Sequence, residues 1–141
     1  DRSPRSLTRR LKAWSKARDR DDLGSFSTID SIEVSSRNEH GRPTVLRLKD
    51  RRGRTADLTI GEFLAAANFN GRGSGQRPSK PLWSGWATGD LKRGRVQLGG
   101  HGFGHGVGLC QYGAQALGMD GRSYQEILSW YYPGAEIHRS W

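Results

Sequence analysis

Leu7, Leu11 and Trp14 recur at helical spacing behind a Ser3-Pro4 start, with arginine and lysine between them. The spacing predicts an amphipathic helix over 5–18 that buries its apolar stripe and leaves its basic face in solvent. The period then changes. Ile32 and Val34 alternate with Ser31, Glu33 and Ser35; Leu46 and Leu48 alternate again, and so do Ala56, Leu58 and Ile60. The turns between them, NEHGRP and DRRGRT, hold Gly41 and Gly53, so the three runs predict an antiparallel meander. GEFLAAANF, 61–69, predicts a short helix, and NGRGSGQRPSKP, 70–81, predicts a loop that can act as a flap, because it has no apolar period. LWSGWAT and RVQLGG predict another hairpin around GDLKRG, with Trp83 and Trp86 expected in the core and stacking of one of them on a sugar as the alternative. A helix over about 107–118 follows, stopped by MDG. Ser123 with Glu126 three residues on opens another, ended by Pro133-Gly134, and AEIHRSW predicts a closing strand. The fold class expected is α+β. A small, mostly antiparallel sheet or partial barrel carries one N-terminal helix and two C-terminal helices packed on it.

The 141 residues fit one domain. The chain begins at Asp1 rather than Met, so it is expected to be a trimmed product or a piece of a longer protein. Hydrophobic content of 33% leaves a modest core in which tryptophan and tyrosine carry much of the burial. There is no apolar run long enough to span a membrane. The net charge of +9 favours polyanions: nucleic acid, anionic lipid or an acidic wall polymer. The basic residues are spread out and form no RNA-binding motif, so nucleic acid is not expected as a partner. Cys110 is the sole cysteine, which excludes an internal disulfide.

GHGFGHGVGLCQYGA, residues 100–114, stands apart. It packs six glycines, two histidines, the cysteine and a Gln-Tyr pair into fifteen residues. Glycine loses the most backbone freedom on folding, so a core has no use for this density. A backbone passing close to a ligand does.

GFGHGVGLCQYGAQALGMDGRSYQEILSWYYPGAEI, 102–137, closely resembles the C-terminal signature of the SpoIID/LytB family of bacterial cell-wall proteins. That signature runs Gly-aromatic-Gly-His-Gly-Val-Gly-Met/Leu-Ser/Cys-Gln-aromatic-Gly-Ala, then Gly, Tyr, Ile-Leu and Tyr-Tyr-Pro-Gly. Each element is present, in order. GRPTVLRLKD, 41–50, also resembles a strand of the family, so the likeness is strong over the last forty residues and weaker before them. The resemblance implies lytic transglycosylase chemistry on peptidoglycan glycan strands, in sporulation or envelope remodelling, at the cell envelope and with no cofactor. It also marks a departure. The family's catalytic glutamate lies in a segment resembling E-x-Y-L-x-G-V-V, ahead of EALKAQAVAARTY, and neither stretch occurs here. The chain is therefore read as one domain over 1–141 or as the C-terminal half of a SpoIID-like domain. Its missing N-terminal segment is a partner expected to supply the acid.

Lytic cleavage needs one carboxyl that protonates the glycosidic oxygen and then helps the muramic 6-hydroxyl close on C1. Ordinary glycosidases pair two carboxylates instead. Glu126 sits at a capping position, and Glu62 and Glu136 are no better placed, so no catalytic acid is assigned. His105 stands at the signature histidine, where it can donate to an acetamido group or tune a glutamate brought from elsewhere. Gly104, Gly106 and Gly108 let a glycan lie against bare backbone, and Gln111 and Tyr112 offer an amide and a hydroxyl to sugar hydroxyls. For Tyr112, core burial on the helical stripe stays equally open. The metal alternative is His101, His105 and Cys110, three zinc-competent residues without an obvious fourth ligand; the reading adopted is no metal. Cys110 is expected to be buried as a small hydrophobe. The alternative function is a non-catalytic wall-glycan-binding module.

Overall fold

In a computed structural model of the protein, residues 3–78, 80–92, 95–100 and 108–138 are described. The chain divides into two compact units, described over 3–100 and 108–138 and taken separately below.

The first unit opens with α1 (Pro4–Lys16). The Ser3 side chain accepts from the Ser6 N–H, and Pro4 occupies the first turn, where a missing N–H costs nothing. Leu7, Leu11 and Trp14 are buried on one stripe. Arg10 is also buried, against the expectation of a wholly solvated basic face. Its guanidinium donates to the carbonyls of Phe69, at 2.8 Å, and of Gln76. The 70–81 segment is thus tied to α1 from within, and Ser74, buried, donates back to the Gly71 carbonyl at 2.7 Å. A segment anchored in this way is not a free flap.

The meander forms as expected, with β1 (Ile29–Arg37), β2 (Pro43–Asp50) and β3 (Thr55–Thr59) pairing antiparallel in that order. Gly41 and Gly53 take φ of +75° and +81° at the two turns. Ile29 and Ile32 both enter the core, although an odd spacing puts strand residues on opposite faces. A register shift between Ile29 and Ser31 realigns them. Asp50 organises the second turn. Its carboxylate is buried and accepts from the N–H groups of Ser27, Arg52 and Arg54 and from Arg54 Nε. Burial pushes this carboxyl up. The Ser27 and Arg54 hydrogen bonds outweigh it and hold the pKa far below the usual carboxylate range.

Ile60 opens α2 (Ile60–Asn68) rather than extending β3. Thr59 and Glu62 form a reciprocal capping box that stops the strand and starts the helix. Glu62 also pairs with Arg20 at 2.5 Å. The predicted hairpin is β4 (Ala87–Lys92) with β5 (Arg95–Gly100), in a separate two-stranded sheet. Gly89 of β4 faces Ile32 of β1 so closely that a Cβ there would lie 2.8 Å from Ile32 Cγ2. The core joins Leu7, Leu11, Phe26, Leu46, Leu58 and Phe63 with Val96 of β5. Trp83, placed in the core by the sequence pattern, is 61% exposed, and Trp86 is half-buried.

The second unit is a helical pair, α3 (Gln111–Met119) and α4 (Tyr124–Tyr131). Between them Gly121, at φ +83°, ends α3. Its N–H donates to the Gly118 carbonyl and that of Arg122 to the Leu117 carbonyl, the paired bonds of a Schellman motif. Ser123 and Glu126 cap α4 reciprocally. The predicted closing strand does not form over 135–138.

The architecture is α+β: the described residues form four helices and two small antiparallel sheets, and their strands do not close into a barrel. Among the described residues no helix is long and apolar enough to cross a membrane.

Candidate functional site

Gly104, His105, Gly106 and His101 lie outside the described residues. The described part of the signature begins at Gly108 and runs into α3. Gly108 takes φ +89°, a left-handed conformation that L side chains adopt at a cost. The Leu109 N–H next to it donates to the Tyr132 hydroxyl at 3.1 Å. A Cβ on Gly108 would lie 3.2 Å from that same hydroxyl. One helical turn further on, Gly113 faces the Tyr131 hydroxyl, which a Cβ at that position would strike. The Tyr-Tyr pair at the end of α4 therefore clasps the end of the glycine-rich stretch at two points. Tyr132 holds the backbone at Leu109, and Tyr131 lies over the bare Cα of Gly113.

The clasp leaves Gln111 and Tyr112 outward on the first turn of α3, with Tyr112 81% exposed. Of the two readings left open for Tyr112, core burial does not hold. Cys110 is exposed as well, against the expectation of burial. It occupies the N-cap of α3, and its side chain caps nothing. Among the described residues no group of three His, Cys, Asp or Glu is placed to hold a metal; the other members of the alternative set, His101 and His105, are outside them.

The carboxylates argue about acidity. A general acid working near neutral pH needs its pKa held up, usually by burial. Glu126 is held down by the Ser123 N–H and hydroxyl and by Arg122, paired at 3.3 Å. Partial burial pushes Glu62 up, but Thr59 and Arg20 pull it below its ordinary value. Asp57 is lowered by its hydrogen bonds to Arg47. Glu126 and Glu62 are helix caps with committed oxygens. Glu136 contacts His138 at 3.1 Å on the surface. The described site offers an amide, a phenol, a thiol and a shaped backbone, and its capping glutamate, Glu126, is lowered rather than raised.

The tyrosine clasp is what the sequence reading missed. Its signal was present, as glycines at 108 and 113 and a Tyr-Tyr pair some twenty residues later, but nothing local links them.

The chain is 33% identical over 88 residues to Stage II sporulation protein D of Bacillus subtilis, covering 60% of the chain and 26% of that protein. It is 35% identical over 92 residues to the protein of the same name from Bacillus amyloliquefaciens, covering 63% of the chain and 27% of that protein. It is 46% identical over 43 residues to the amidase enhancer of Bacillus subtilis, 30% of the chain and 6% of that protein. The chain thus spans about a quarter or less of the length of these relatives. No protein-family profile matches it, and no solved structure does.

Proposed function

We propose, from the premise that the chain belongs to the SpoIID family, that it forms the glycan-holding part of a cell-wall protein acting on peptidoglycan strands. The reaction proposed is lytic, 1,6-anhydro-forming cleavage between muramic acid and glucosamine residues. The glutamate comes from a segment outside residues 1–141. The location proposed is the cell envelope, in sporulation or wall remodelling.

The observation that carries this reading is the clasped backbone at 108–113 with Gln111 and Tyr112 outward beside it. A backbone held at Leu109, bare at Gly108 and flanked by an outward amide and phenol, suits a chain of sugar hydroxyls. The family premise supplies the substrate class, and the lowered carboxylates favour an acid from elsewhere. The second reading, a glycan-binding module without catalysis, shares every described contact and differs only in whether that acid exists.

Mass spectrometry of glycan strands, with and without stem peptides, after incubation with residues 1–141 tests the proposal. Strands retained without new anhydro-muramic ends are the expected result. Anhydro ends would move the acid into these residues. Neither product nor retention would sink the glycan reading.

A further inference from the structure

The first unit carries a second feature that the glycan reading does not use. A groove of about 990 Å³ runs along α1, walled across by Phe69 and Arg72. Arg5, Arg9, Lys12 and Lys16 line it from the helix, and no carboxylate is among its described lining residues. Arg5, Arg9, Lys16 and Arg72 are exposed. Lys12 is half-buried, its ammonium donating to the Phe26 carbonyl at 3.0 Å, which fixes one cation in the groove wall. At the rise of an α-helix, these four positions stand about 6, 4.5 and 6 Å apart along the axis. The groove is therefore a ladder of cations on one face, with a fifth across from it.

That interval is informative about the ligand. A glycan stripped of its peptides carries one carboxylate per disaccharide, too sparse to meet successive rungs. A polymer with a phosphate at every short linker meets them in turn. The rings in the lining argue further. Phe26 is only 3% exposed, and Phe69 is half-buried against the core, so neither offers the open face on which a nucleic-acid base stacks. We infer that the α1 groove binds a linear polymer of phosphodiester-linked polyols, its phosphates laid along Arg5, Arg9, Lys12 and Lys16 and closed by Arg72. Arginine forks and lysine point charges both suit phosphate oxygens. The site is separate in residues from the glycan-holding stretch and serves to keep the protein on a phosphate-rich wall.

Calorimetric titration of the full chain with synthetic poly(glycerol phosphate), at several salt concentrations, tests this. Binding that weakens steeply with salt is expected. The variant Arg5→Gln/Arg9→Gln/Lys16→Gln should bind about tenfold or more weakly, with a shallower salt dependence. Lys49→Gln/Arg51→Gln/Arg52→Gln removes as many charges outside the groove and should change affinity little. If the helix variant fails to fold, Arg72→Gln, on the facing loop, is expected to weaken binding in the same direction. No binding, or equal weakening by the two triple variants, overturns the proposal. So does oligo-dT of equal phosphate count binding more tightly and losing affinity through the same helix substitutions, which would make this a nucleic-acid groove. Peptide-free glycan retention should survive the helix variant; its loss together with polymer binding would merge the groove with the glycan site and overturn the separate role.

Discussion

Tyr132 holds the backbone at Leu109, the end of the glycine-rich stretch, by one oxygen. A glycine such as Gly108 costs backbone entropy when it is ordered, so the chain beside it gains from an external hold. The hydroxyl supplies it by accepting from the Leu109 N–H. Tyr132→Phe keeps the ring and removes that acceptor, a loss of about 0.5–1 kcal/mol for a partly exposed bond. Gly108→Ala strains a φ of +89° and crowds the same oxygen, costing about 1–2 kcal/mol. Both substitutions touch neither Gln111 nor Tyr112. Each is expected to weaken retention of glycan strands by severalfold, with far-ultraviolet circular dichroism of the helices unchanged. Retention unchanged in both variants would mean that the clasp is structural only. This hold was illegible in the sequence because it is long-range. A tyrosine hydroxyl and a backbone N–H some twenty residues apart leave no periodic trace, whereas Gly41 and Gly53 announce their turns within four residues.

At the scale of elements, the helices whose ends carry local chemistry were legible. Ser3-Pro4 started α1 and the Ser123–Glu126 box started α4 where the sequence placed them. The boundary at Ile60 was missed although Thr59-x-x-Glu62 was there to be read, because the apolar alternation of β3 continues smoothly into Ile60 and masks the cap. The strand expected over 135–141 had no alternation behind it, and its described residues, 135–138, remain unpaired with any strand. Arg10 shows the limit of binary patterning. A periodicity argument puts every arginine of an amphipathic helix outside, yet the Phe69 and Gln76 carbonyls draw this one in. Burial and then the neighbouring Arg9 lower its pKa from the usual arginine value. Arg10→Met fills the same space and strands two carbonyls. It is expected to destabilise the first unit by about 1.5–3 kcal/mol, the range for hydrogen bonds to charged groups. It should also speed proteolytic cleavage within 70–81. Unchanged cleavage would show that the segment is held by something other than this guanidinium.

At the scale of the whole molecule, charge sets the response to acid. The chain carries 23 Lys and Arg against 14 Asp and Glu. Protonating those acids leaves a large positive charge that repels itself. Among them Asp50 is the most tightly committed, because it joins the turn after β2 to the segment entering β1 through the Ser27 N–H. Its folded pKa is depressed, so the stability it contributes is fully present above the unfolded value of about 3.9 and is lost as pH falls from there through the folded value. Glu62 and Glu126 are shifted the same way and add to the same acid-side loss. The urea midpoint of the wild-type chain is therefore expected to be flat near neutrality and to fall steeply below about pH 4. In Asp50→Asn, an amide group faces N–H donors that a carboxylate satisfied, so the midpoint at pH 7 should be lower. Its fall between about pH 4 and 2 should be shallower, because one depressed carboxyl no longer titrates. The two curves then converge in acid. Curves that stay parallel from pH 7 to 2 would place the acid sensitivity in the general charge of the molecule rather than in the turn that Asp50 ties.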